Sequence, residues 1–174
     1  MPWTFALMLI ATLAIAGIPP FAGFFSKDET LAAAFARGAE IPAFRLFWLF
    51  GVAAAALTAF YMARLMAMTF FGENRTGAEE QTHLHEAPAI MTAPLVVLGV
   101  LSAVGGLLNL PALLGGDAKL EHWLGPVLEG AHHYFPLEMP HGQTEFVLIG
   151  LAILIAAGGL VAGWRVTMSW PIHP

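Results

Sequence analysis

The residues predict an all-α fold: a polytopic bundle of transmembrane helices, one of them broken around Gly17–Gly23. Three observations carry this. The chain of 174 residues is 58% hydrophobic and only 11% charged, with a mean hydropathy of +0.73, whereas a soluble domain carries roughly 25% charged residues. Long apolar stretches recur along it with almost no charge inside them. The first of these runs into Pro19-Pro20, which removes two backbone donors and forbids a regular helix across the pair.

The elements follow in chain order. Residues 3–18 form an uncharged run, slightly short of the roughly 20 residues a bilayer crossing needs, which keeps the proline break within reach of membrane depth. Residues 21–37 form a second helix, apolar except at Lys27-Asp28-Glu29 and closed by the Gly38, Glu40 and Pro42 cluster. Residues 46–71 are long enough to span and carry one charge, Arg64. Residues 88–114 carry none, and run through Gly105-Gly106 and Pro111 toward Gly115-Gly116. Residues 146–166 form the last span, with Gly150, Gly158, Gly159 and Gly163 as small surfaces for close helix packing. Glu73 to Glu86 is a polar loop. Residues 117–142 form a second, interfacial one, with an amphipathic candidate at Leu120–Leu128. Trp48, Trp164 and Trp170 near span ends fit an aromatic belt. No internal repeat is visible, and residues 1–174 read as a single membrane domain.

Composition also excludes functions. Without cysteine there is no disulfide framework, thiolate metal site or cysteine nucleophile. A net charge of −5 argues against a nucleic-acid partner, leaving the lipid bilayer as the first partner. Met1-Pro2-Trp3 enters the first apolar run with neither a basic leader nor a small-residue cleavage site. Lysine and arginine are spread evenly over the loops, so charge sets no orientation. Phosphate-binding glycine loops, Rossmann fingerprints and nucleophile elbows are absent from the sequence. His83 and His85 beside Glu86, and the looser group His132, His133 and His141, lack the spacing of a metal-binding helix, so no metal or cofactor is expected.

The charged triplet is where chemistry is expected. Ionisable groups beside a broken apolar helix are costly in lipid, and they mark ion or proton movement when they occur there. Successive helical residues are rotated by about 100°, so Lys27, Asp28 and Glu29 point in three directions. Lys27 shares its face with Gly23, Thr30 and Leu31, which leave room and polarity beside it. Burial lowers an ammonium's affinity for its proton and a nearby carboxylate raises it, a competition that suits loading and release. The other possibility is a triplet at the membrane surface, an ordinary helix end. Arg64 is expected to snorkel, to form an inter-helix ion pair or to join a polar axis. Thr58 and Tyr61, on or near its face, are expected to pack and hydrogen-bond.

Met1-Pro2-Trp3-Thr4 and the run from Gly17 to Glu29 closely resemble the subunit L family of bacterial NADH:quinone oxidoreductase, respiratory complex I. Leu57–Met62 with Arg64, Thr69-Phe70-Phe71-Gly72-Glu73, His83-Leu84-His85-Glu86-Ala87-Pro88, then Met91, Pro94-Leu95 and Gly105-Gly106 are similar to successive parts of the same family. The large subunit of Mrp-type cation/proton antiporters is the nearest related family. The resemblance implies that Lys27 is the lysine of the broken helix at the exit of a proton half-channel, with Asp28 and Glu29 as tuning neighbours. His85 and Glu86 resemble a family motif, which implies a structural loop role or a coupling role; Arg64 stays a candidate tuning group from its place in the span. The resemblance also implies partners among the other membrane-arm subunits, flavin and iron–sulfur clusters held by partner subunits and not by this chain, and a bacterial inner membrane. The alternatives are an Mrp-type antiporter piece and a structural assembly bundle without an ion path. Family members are several times longer, so the first half-channel and the central residues of the second are expected outside this chain, which reads as a C-terminal fragment.

Overall fold

The computed structural model describes residues 1–71, 85–109, 119–120, 123–127, 139–140 and 142–169. Five α-helices account for most of them: α1 (Pro2–Ala16), α2 (Ala22–Arg37), α3 (Ala43–Phe70), α4 (Ala89–Val104), which tightens into a 3-10 turn at Gly105–Asn109, and α5 (Gln143–Ser169). No strand occurs among the described residues. The proposed ends of the spans near 114 and the second histidine group lie outside them, as do Trp170 and most of the 117–142 loop; residues 123–127 of that loop are helical, with Trp123 and Val127 exposed.

Ala43–Phe70, Ala89–Leu108 and Gln143–Ser169 are each long and apolar enough to cross a membrane. α1 is apolar over its 15 residues and ends at the break. α2 was expected as a span over 21–37. It has 16 residues and is not among the helices apolar enough to cross alone, because the charged triplet and its Ser and Thr neighbours interrupt its hydrophobicity. The two together form the broken element the sequence predicts.

Packing fixes the topology. The Phe5 ring meets Phe70 and Phe71 edge-on, and Phe71 meets Trp164 at 4.7 Å between centroids, so the start of α1 and the ends of α3 and α5 share one end of the bundle. Phe35 against Trp48 brings the end of α2 to the start of α3 at the other end. α3 and α5 run parallel and pack most extensively. A Cβ on Gly159 would lie 2.7 Å from the Ala56 carbonyl oxygen, and one on Gly163 would lie 3.0 Å from the Phe60 carbonyl carbon. Only glycine allows this approach, and close backbone contact is what holds apolar helices together where lipid is as hydrophobic as the interface. Ala59, Ala63, Ala67 and Ala156 are buried small residues, Met62 and Met66 are buried on α3 as well, and side chains such as Phe50, Leu57 and Leu154 are exposed.

Candidate site at the helix break

α1 ends because its sequence withholds donors. The carbonyl of Ile15 would accept from the backbone N–H of residue 19 if the helix continued, and that of Ala16 from residue 20; both positions are proline. Gly17 turns out of the helix in the left-handed region at φ 82°, a conformation cheap only for glycine. Its N–H donates to Ala14 and that of Ile18 to Leu13, closing two of the terminal carbonyls in a Schellman-type cap. The turn closes with Phe21 donating to Ile18, and α2 begins at Ala22.

Lys27 supplies the donor that Pro19 lacks. Its Nζ donates to the Ile15 carbonyl at 2.8 Å, and its stem runs beside Gly17. Gly23, one turn earlier on α2, makes this possible. A Cβ there would lie 2.9 Å from the Ala14 carbonyl carbon and nearer still to its oxygen, so only glycine lets α2 lie against the end of α1. The 3-10 turn after α4 closes the same region from another side. A Cβ on Gly106 would meet the Phe25 ring at 2.7 Å and the Ala22 Cα at 3.0 Å. The arrangement is a half-buried ammonium on the negative end of a helix, at a backbone break walled by glycine contacts. Both the carbonyl and the helix dipole favour the charged form, and desolvation opposes it.

The rest of the triplet diverges as helical geometry requires. Asp28 lines a small cleft between α2, α3 and α5, with Leu31, Trp48, Val52, Leu148 and Leu151 among its walls; the cleft's volume of about 20 Å³ is room for about one water. Burial in this cleft disfavours the Asp28 charge first, and repulsion from the Glu145 and Glu29 carboxylates adds to it. Glu29 faces outward. Arg64 is half-buried in α3 and has no hydrogen bond or ion pair among the described residues; Thr58 does not reach it, since its hydroxyl donates back to Ala54. His85 is exposed, its Nδ1 3.0 Å from the Glu86 carbonyl. Among the described residues no three histidines or carboxylates converge on a metal site.

Glu86 lies elsewhere, at the opposite end of α1. Its carboxylate accepts from the backbone N–H of Trp3 at 3.2 Å and of Thr4 at 3.0 Å, and from the Thr4 hydroxyl. Chiefly through the Thr4 hydroxyl, these bonds hold the Glu86 carboxyl below the usual carboxylate range against a smaller desolvation effect. Two threonines escaped the sequence reading. Thr4 is half of this cap, and its only signal was a polar residue beside Trp3 at a helix start. Thr12 is 2% exposed on α1, and its hydroxyl lacks a hydrogen-bond partner among the described residues.

Comparison with known proteins places this geometry. The family model described as NADH:quinone oxidoreductase/Mrp antiporter, TM, matches residues 1–58, which include the break and Lys27. NADH-quinone oxidoreductase subunit L of Mycobacterium tuberculosis (strain CDC 1551 / Oshkosh) is 43% identical over 99% of this chain. The chain belongs to the subunit L/chain 5 family. NAD(P)H-quinone oxidoreductase chain 5 of Picosynechococcus sp. is 39% identical over 86% of the chain, and subunit L of Rhodobacter capsulatus 39% over 67%. The chain spans about a quarter of the length of these relatives: 25% of the mycobacterial, 23% of the Picosynechococcus and 19% of the Rhodobacter protein. Within this family the bundle is a polytopic, antiporter-like membrane region of all-α fold.

Proposed function

We propose that this chain contributes the exit side of a proton half-channel to the membrane arm of a bacterial NADH:quinone oxidoreductase, with Lys27 as the group that holds and releases the proton. The observation that carries it is the Lys27 ammonium on the Ile15 carbonyl at a double-proline break. A lysine there is pre-positioned yet held by one backbone acceptor, so a small displacement of α2 against α1 changes its surroundings. Moving it off the carbonyl leaves desolvation unopposed and expels the proton; returning it restores the charged form. Proline rather than an ordinary residue keeps the carbonyl open to Lys27.

On this reading the chain sits in the bacterial inner membrane beside other membrane-arm subunits. Redox steps take place in partner subunits that carry flavin and iron–sulfur clusters, and their energy arrives by conformational or electrostatic coupling. Asp28, Glu29 and Arg64 shape the local field without carrying the proton. Lys27→Ala in the full-length subunit, assembled and assayed for NADH-driven proton pumping in sealed vesicles, tests the proposal: pumping per NADH falls if Lys27 is the exit group, and unchanged pumping overturns it. The family model covers Mrp antiporters as well, which supports a second reading as a cation/proton antiporter piece. Sodium-dependent growth rescue favours that reading, and genes for peripheral NADH dehydrogenase subunits beside this one count against it.

A further inference from the structure

We infer that Thr12 is a positioning residue for the proton that Lys27 carries: its hydroxyl anchors the internal water through which the amine is loaded. This rests on the proton-release reading of Lys27 and names its supply side. Thr12 is 2% exposed, and its oxygen is sealed from solvent without a hydrogen-bond partner among the described residues. A threonine or serine inside a helix commonly bonds the carbonyl one turn back. Thr30, Thr58, Thr167 and Ser169 do so, to Ser26, Ala54, Gly163 and Arg165. Thr12 has the Met8 carbonyl at the same spacing and does not bond it. A buried hydroxyl left unpaired is destabilising and calls for a physical reason. The seal is made by this chain's own residues, so an outside segment does not reach the oxygen without displacing them.

Position supplies the reason. Thr12 follows Phe5 by two helical turns and shares its face of α1, and Phe5 meets α3 at Phe70 and Phe71. α1 and α3 run in opposite directions, so Thr12 lies about 10 Å deeper, level with the α3 turn of Ala63 and Arg64. Arg64 is half-buried and also without a partner among the described residues. Toward the break, Ile15, whose carbonyl holds Lys27, is one turn beyond Thr12, about 5 Å along the helix. The other buried side chains of α1 and α3 are alanine and methionine, so Thr12 is the polar foothold between these levels. While Lys27 rests on Ile15, the hydroxyl is dry. When α2 shifts and the amine leaves, the Ile15 carbonyl and the Thr12 hydroxyl are both unpaired, one turn apart, and supply the partners that internal water needs. A hydronium arriving along that water gives its proton to the neutral Lys27 Nζ. Water is left behind, and the ammonium returns to the Ile15 carbonyl.

The experiment uses the full-length subunit in the assembled complex. Thr12→Val keeps the shape and deletes the hydroxyl; Thr12→Ser keeps the hydroxyl. Removing an unpaired hydroxyl leaves the melting temperature of the complex at or above wild type, while pumping per NADH in sealed vesicles falls. Loading of Lys27 then limits turnover, so pumping by Thr12→Val recovers as the pH on the uptake side is lowered, where wild type stays level. Thr12→Ser restores most of the loss, and Thr12→Val added to Lys27→Ala causes no further loss. Wild-type pumping by Thr12→Val overturns the inference and leaves the proton-release reading intact. A joint fall of melting temperature and pumping in Thr12→Val also overturns it, because the hydroxyl then serves a structural hydrogen bond. Normal pumping by Lys27→Ala overturns the proton-release reading and this one with it.

Discussion

Gly23→Ala tests how tightly the site depends on helix contact. The added methyl would lie 2.9 Å from the Ala14 carbonyl carbon and closer to its oxygen, where ordinary contact begins at 3.4 Å. What it meets is backbone, which cannot rotate away. α2 must retreat by about 1 Å, at an overpacking cost of about 1–3 kcal/mol, toward the upper end because no flexible side chain yields. Alanine returns up to about 1 kcal/mol of helix propensity, so the net loss is about 1–2 kcal/mol. The same retreat stretches the Lys27–Ile15 contact from 2.8 Å past the hydrogen-bond limit of roughly 3.5 Å. Thermal unfolding of the assembled complex and NADH-driven pumping read the two effects separately. Gly150→Ala, at a glycine with nothing within 4 Å of the added methyl, is the control and is expected to be neutral or stabilising. Wild-type stability and pumping in Gly23→Ala would refute the close contact of α1 and α2.

Other outcomes follow from the same geometry. Gly163→Ala places a methyl 3.0 Å from the Phe60 carbonyl carbon and 3.1 Å from the Ala63 Cβ, and is expected to cost about 1–3 kcal/mol; Gly158→Ala, in open space, costs nothing, and equal melting temperatures for the two would contradict the α3–α5 packing. Glu86 has a carboxyl held below its ordinary value of 4.5. The cap is therefore fully present above pH 4.5 and is lost as the pH falls through the lowered value; exchange at Trp3 and Thr4, corrected for intrinsic rates, stays flat above pH 4.5 and accelerates below it. Asp28→Asn removes repulsion from Glu145 and raises stability by less than about 1 kcal/mol; a loss of stability on calorimetry would mean that Asp28 has a cationic partner.

Much of this was legible in the sequence, for identifiable reasons. Pro19-Pro20 ends a helix by removing donors, which is a local effect and needs no tertiary knowledge. The divergence of Lys27, Asp28 and Glu29 follows from helical rotation alone. Gly159, Gly163 and Gly106 were recognisable as close-approach positions, but Gly150 and Gly158, expected to pack in the same way, have nothing within 4 Å of an added Cβ, because which glycines of an apolar run face a neighbouring helix depends on the packing. The partner of Lys27 was not legible, since an orphaned carbonyl leaves no mark in residue types and the contact depends on how α2 folds against α1. The role of Glu86 was hidden for a stronger reason: its partners lie 82 and 83 residues away, and nothing local to the His85-Glu86 pair points to a helix start. The short length of α2 was blurred because the apolar pattern continues through the break.

Lys27→Arg separates the two things Lys27 is held to do. Arginine keeps a permanent positive charge, so it still caps the Ile15 carbonyl end of α1 but cannot release a proton. In sealed vesicles, a complex carrying Lys27→Arg is expected to assemble, to melt close to wild type and to pump fewer protons per NADH oxidised. Normal pumping by Lys27→Arg would reduce Lys27 to a structural cap and contradict proton release at the break.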